Sequence, residues 1–175
     1  MDDRGMLRTA AVLAEAGLEV VRFNFAYRER GSKLPDRMPV LRERFEQVVH
    51  KHRDEKRKLI IGGRSMGGRV ATMMAADGFP CDALLLLAYP LHPAGKPEKL
   101  RDAHLPLIRV PVLCFNGTRD ALCTRHLMER AVQGVKGWNM HWVEGADHSL
   151  GRAKDLAQIR ETTRDWLSRN SVPGT

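Results

Sequence analysis

The chain has 175 residues, 43% of them hydrophobic and 29% charged, which is enough apolar material for one domain and excludes intrinsic disorder. Its 29 basic and 21 acidic residues leave a net charge of +8, which raises nucleic acid as a partner. The 21 Arg and 8 Lys are scattered along the chain rather than gathered, and no nucleic-acid-binding signature accompanies them, so that partner is not expected.

In chain order, Met1-Asp2-Asp3 lacks the basic and apolar regions of a signal peptide. An Ala- and Leu-rich stretch over 6–16 predicts a helix stopped by Gly17. Residues 19–25, with Val20, Val21, Phe23 and Phe25, predict a strand, and 27–39 a polar loop with Gly31, Pro35 and Pro39. Leu41, Phe45, Val48 and Val49 recur at helical spacing, which predicts an amphipathic helix over 40–51. The dense basic run over 50–58 contains Asp54 and Glu55 and no aromatic residue, as a solvated helix end would.

A short apolar strand over 59–61 precedes a helix over 66–76. The apolar run 83–88 predicts another strand, far too short to span a bilayer even when extended to Tyr89. A Pro- and Gly-rich connection leads to Pro111, followed by a strand over 112–115. Thr124 is placed to cap a helix ending near Gln133. A strand over 139–143 follows. Leu156, Ile159, Thr163, Trp166 and Leu167 then mark one face of a final helix.

Continuous apolar strands alternating with helices predict an α/β fold: a mostly parallel sheet of about five strands, covered on both faces by about six helices. No internal repeat or linker divides residues 1–175, so a single domain is expected. Cys81, Cys114 and Cys123 are odd in number and lack CxxC spacing, which fits a reducing compartment and gives cytoplasm as the expected location.

Gly63-Arg64-Ser65-Met66-Gly67 is a G-x-S-x-G pattern set between a strand and a helix. Turning at once from strand to helix puts a serine on a strained backbone with its hydroxyl exposed, and glycines at 63 and 67 leave room for the turn. The Met66 N–H, at the helix start, is the expected oxyanion donor. Serine needs a base, and the base needs an acid. Asp120 follows the strand 112–115 and His148 follows the strand 139–143, so Ser65, Asp120 and His148 all fall on the carboxyl edge of a parallel sheet, in the order Ser, Asp, His.

Glu144 is the second choice of acid, and Asp147, adjacent to His148, a poorer one. Tyr27 and Tyr89 follow strands at the same edge and are candidate substrate-contacting walls. His92, His104, His126 and His141 lack companions at metal-ligand spacing, so no metal and no cofactor are expected. Cys123 carries no mark of an activated thiol.

The segments 62–69 (GGRSMGGR), 89–101 (YPLHPAGKPEKLR), Gly117-Thr118-Arg119-Asp120 and Asp147-His148 together resemble the α/β-hydrolase superfamily. Within it they are similar to the small predicted-hydrolase branch related to dienelactone hydrolase. That branch includes testis-expressed hydrolase-like proteins and the hydrolase-like domain of the third subunit of the NSL chromatin complex. The resemblance implies Ser65 as nucleophile, where dienelactone hydrolase has cysteine, with Asp120 as acid and His148 as base.

The resemblance also implies a departure. In the family, strands precede the first helix, and one of them lies between the strands matched here by 20–25 and 59–61. The loop after that strand carries a second oxyanion donor. Met1 stands where the family is already entering its first helix, so the chain reads either as amino-terminally truncated or started late, the favoured reading, or as closing its sheet differently, with turnover weakened on the order of 10²–10³ by the missing donor. The expected activity is cleavage of a small-molecule ester or thioester, without membrane involvement. The alternative is a non-catalytic binding or scaffold protein that keeps the fold.

Overall fold

The computed structural model describes residues 4–170. In chain order it contains α1 (Arg4–Glu15), α2 (Ala26–Glu29), α3 (Met38–His52), β1 (Ile60–Arg64), α4 (Met66–Ala76), β2 (Ala83–Leu87), β3 (Val112–Gly117), α5 (Arg125–Ala131), β4 (Trp138–Val143) and α6 (Ala153–Arg169). A 3-10 turn at Leu105–Leu107 interrupts the connection from β2 to β3. Among the described residues, no helix is long and apolar enough to cross a membrane.

The four strands form one wholly parallel sheet in the order β1-β2-β3-β4. Every residue of β2 and β3 is buried, as strands covered on both faces must be. Alternation sends Leu84, Leu86, Val112 and Cys114 to one face, where Leu41 and Phe45 of α3, Val70 and Met74 of α4 and Met128 of α5 pack on them. It sends Leu85, Leu87, Leu113 and Phe115 to the other, against Leu13 of α1 and Ile159 and Trp166 of α6. The result is three layers, helix on sheet on helix.

Among the described residues there are four strands rather than five. Residues 18–25 run extended, with Leu18 and Val20 packed toward the α1/α6 layer and Phe23 and Phe25 toward the α3/α4 layer. That is strand-like alternation without a ladder: β1 pairs with β2 alone, and no strand ladder among the described residues includes the segment. The interval between 18–25 and β1 is where the sequence reading puts the absent strand. Instead of a strand partner, the segment has an aromatic cluster, with Phe23 edge-on to Phe25 and Phe45 at centroid distances of 5.2 and 5.1 Å.

Two smaller differences are local. The expected loop 27–39 opens with the four-residue helix α2, whose chain reversal is completed by Gly31 at φ +72°. Thr124 occupies the N-cap of α5, but its hydroxyl bonds the His92 ring at 2.9 Å instead of the helix. His92 Nε2 also accepts from the Thr124 N–H (3.0 Å) and its Nδ1–H donates to the Pro93 carbonyl (3.0 Å), so this ring ties the loop after β2 to the start of α5. The basic run after α3 is paired with its own neighbours, Arg53 with Glu55 and Arg57 with Asp54 and Glu19.

Candidate active site

Ser65 is the N-cap of α4, directly after β1, at φ 51° and ψ −115°, a conformation that costs a non-glycine residue free energy. Its N–H donates to the Leu87 carbonyl (2.9 Å) and its carbonyl accepts from Arg69 N–H (3.1 Å), so sheet and helix hold the turn from both sides. A Cβ on Gly63 would come within 3.1 Å of the Gly67 backbone, and one on Gly68 within 2.9 Å of the Gly63 carbonyl oxygen. Crowding therefore falls on Gly63 and Gly68, and most tightly on Gly62, where a Cβ would collide with the Leu85 carbonyl. Gly67, expected to need its missing side chain, has room for one.

His148 Nε2 lies 2.9 Å from Ser65 Oγ, and His148 Nδ1 lies 2.8 Å from Asp120 Oδ2 and 3.0 Å from Oδ1. With the ring proton on Nδ1, His148 donates to Asp120 and its Nε2 lone pair accepts the serine hydroxyl, the tautomer this chemistry requires. The Asp120 side chain is fully buried, and besides His148 it accepts from the Leu122 N–H (2.8 Å) and from Asn116 Nδ2 (3.2 Å). Three bonded donors fix the direction of this carboxylate.

Asn116 is the member that sequence reasoning passed over. Fully buried at the end of β3, it accepts from the Tyr89 N–H and donates to the Tyr89 carbonyl, both at 3.1 Å, as well as bonding Asp120. It therefore staples the loop after β2 to the acid. The signal was its place in Asn116-Gly117-Thr118-Arg119-Asp120, but its partner is a backbone from a different strand. Gly117, next along, lets two loops meet: a Cβ there would collide with the Ala146 carbonyl. The segments carrying Asp120 and His148 are thereby pressed together, aided by Gly145 N–H donating to Thr118 Oγ1 (2.8 Å).

The other expected residues have different places. Glu144 accepts from the Thr118 hydroxyl (3.1 Å) and Asp147 from the Ser149 hydroxyl and N–H (2.6 and 2.9 Å), which hold the Asp147 carboxyl below its usual range. Neither faces the His148 ring. Tyr89 is 0% exposed, with its hydroxyl donating to the Arg101 carbonyl (2.7 Å), and Tyr27 is 8% exposed, stacked on Phe25. Contrary to expectation, neither ring offers free surface to a ligand. Tyr89 serves the site through its backbone bonds to Asn116. Met66, at the first position of α4, carries one of the helix-start amides that have no intrahelical acceptor. Burial pushes the Cys123 thiol up to about 12, which leaves it protonated and unreactive.

Residues 1–170 match the family described as alpha/beta hydrolase domain. Among solved structures, a serine hydrolase homologue from Coxiella burnetii is 20% identical with a TM-score of 0.73, over 94% of this chain and 76% of that one. A serine hydrolase without lid from Xanthomonas campestris is 19% identical with a TM-score of 0.71, over 100% and 77%. A dienelactone hydrolase from Anabaena variabilis is 20% identical with a TM-score of 0.72, over 96% and 80%. At these identities the structural likeness shows the fold, and the match along nearly the whole chain shows the family. The chain belongs to the alpha/beta hydrolase domain family.

Proposed function

We propose that this chain is a serine hydrolase that cleaves a small ester or thioester through Ser65, His148 and Asp120. The observation that carries the reading is the unbroken bond series Ser65 Oγ, His148 Nε2, His148 Nδ1, Asp120 Oδ2, with steps of 2.9 and 2.8 Å. His148 Nε2 takes the Ser65 proton as Oγ forms a bond to the substrate carbonyl carbon. The carbonyl π electrons move onto oxygen, and the Met66 N–H at the helix start stabilises that charge. Asp120 stabilises the imidazolium without taking its proton.

Collapse of the tetrahedral species breaks the bond to the alcohol or thiol, which leaves with the proton from Nε2. Water, deprotonated by the same nitrogen, then attacks the acyl-Ser65 ester, and the second collapse returns the proton to Ser65 and frees the acid. No metal or cofactor enters any step. The chain orients its own groups: the strained turn presents Ser65, and the Asn116 and Leu122 donors aim Asp120.

Fluorophosphonate labelling read by intact mass tests this. One adduct on the parent chain, absent from Ser65→Ala, is the expected result, followed by turnover of p-nitrophenyl esters or thioesters. A folded parent that takes no adduct would sink the catalytic reading in favour of a binding protein that keeps the fold.

A further inference from the structure

Two arginines near Ser65 lack a counter-ion. Arg69 lies in the first turns of α4, and its N–H bonds the Ser65 carbonyl, which places it one helical turn, about 5.4 Å along the axis, from the serine. Helical side chains lean toward the helix start, which for Arg69 is the end of α4 capped by Ser65. Arg101 belongs to the connection after β2. Its N–H bonds the Leu91 carbonyl (2.8 Å), its carbonyl takes the Tyr89 hydroxyl (2.7 Å), and its Nη1 reaches the Pro90 carbonyl only at 3.4 Å. That fixes Arg101 over the loop leaving β2, the neighbour of the strand that ends at Ser65.

Among the described residues neither arginine forms an ion pair. Arg69 Nε is buried with no hydrogen-bond partner. Burial, and after it the Arg69 charge, holds both Arg101 and His104 below their ordinary pKa values. The nearby acids do not relieve the two arginines: Asp77 is paired with Arg42, and Asp102 acts on His104 without pairing with either arginine. Arg64, on the other flank of Ser65, bonds Thr9 Oγ1 at 2.8 Å. Tyr89, Thr72 and His104 link the two arginine backbones: the Tyr89 hydroxyl donates to the Arg101 carbonyl (2.7 Å) and lies 3.5 Å from His104 Nε2, whose N–H donates to Thr72 Oγ1 (2.9 Å), which donates to the Arg69 carbonyl (2.9 Å).

Two half-buried like charges on linked segments, neither paired with a carboxylate, are costly unless an anion completes them. We infer that Arg69 and Arg101 form an oxyanion subsite beside Ser65, so that the preferred substrate carries a carboxylate or phosphate in addition to the ester or thioester that is cleaved. Guanidinium forks match both of these anions in plane and spacing. This inference rests on the hydrolase reading for its kinetic arm and stands without it for its binding arm.

The kinetic arm compares the full chain with its Arg69→Gln/Arg101→Gln variant on two chromogenic esters, p-nitrophenyl butyrate and the mono-p-nitrophenyl ester of succinate. The readout is the ratio of the two kcat/KM values. The double substitution is expected to lower the succinate-to-butyrate ratio by about tenfold or more, and added salt to lower it in the parent. An unchanged ratio, or equal loss on both esters, overturns the subsite.

The binding arm titrates monomethyl succinate and methyl phosphate calorimetrically into Ser65→Ala, with and without the two arginine substitutions. Binding that depends on the arginines supports the subsite even if no ester is turned over, in which case the hydrolase reading falls alone. The tighter of the two ligands identifies the anion. No binding of either ligand overturns the proposal. If the double variant does not fold in a thermal melt, Arg101→Gln alone, on its loop, is put through the same two arms.

Discussion

Asn116 joins Tyr89 to Asp120: its amide is bonded to both backbone groups of Tyr89 at 3.1 Å and to the Asp120 carboxylate at 3.2 Å. The side chain has no exposure to water, so each lost bond leaves a buried group unsatisfied. Asn116→Leu is expected to destabilise the fold by about 2–4 kcal/mol, as removal of a buried multi-bonded amide does. It is also expected to slow Ser65 labelling well beyond the fraction unfolded, because Asp120 loses one of its positioning donors. A urea titration and the labelling rate, measured on the same preparation, separate the two effects.

The three carboxylates around His148 differ in what they touch, and this gives a second prediction. Asp120→Asn removes the anion that accepts His148 Nδ1–H and is expected to lower turnover on the order of 10³–10⁴. Glu144→Gln and Asp147→Asn alter groups bonded to Thr118 and Ser149, and are expected to change it by no more than about threefold, as surface substitutions do. Parallel kcat/KM values for the three variants check this. A large loss in Glu144→Gln would make it the acid instead.

Gly117 is where the segments bearing Asp120 and His148 touch. A methyl group there would collide with the Ala146 carbonyl, which sits in the backbone and cannot swing aside as a side chain can. Gly117→Ala is expected to cost more than about 2 kcal/mol and to pull His148 away from Asp120. Loss of labelling in a variant that still melts cooperatively, at a lower temperature, is the expected pair of results.

Much of this arrangement is legible in the sequence, for reasons that also mark its limit. The runs at β2 and β3 are readable because strands buried on both faces are apolar at every position. Ser65, Asp120 and His148 can be placed on one edge because each follows a strand directly. Residues 18–25 have the same alternation, with Val20 and Phe23 facing opposite layers, yet pairing depends on a neighbour that local pattern does not reveal. The four-residue α2 is too short to show a period. Asn116 and the Arg69–Arg101 pair are harder to read for a related reason: what they do is set by groups brought from other strands and loops.

The pH dependence of stability follows from His104 and His141, both held below the ordinary histidine value of 6.5, chiefly by burial. For His104 the Arg69 charge adds to the effect, partly opposed by Asp77 and Asp102. A histidine whose folded-state pKa is depressed binds its proton more readily when unfolded. Its contribution is therefore fully present above about pH 6.5, and is lost as pH falls from there toward the folded value. The urea midpoint is expected to be flat between pH 8 and 7 and to fall between pH 6.5 and 5. His141→Phe removes one of the two groups. It also replaces a ring that meets Phe115 edge-on at 5.4 Å and whose Nε2 is buried without a partner, so this variant should fold. It is expected to show a shallower fall over that window. Asp147, whose carboxyl the Ser149 hydroxyl and N–H hold below the ordinary carboxylate range, leaves this window undisturbed. A midpoint that rose on acidification, or a His141→Phe curve parallel to the parent, would contradict the assignment of this pH dependence to the buried rings.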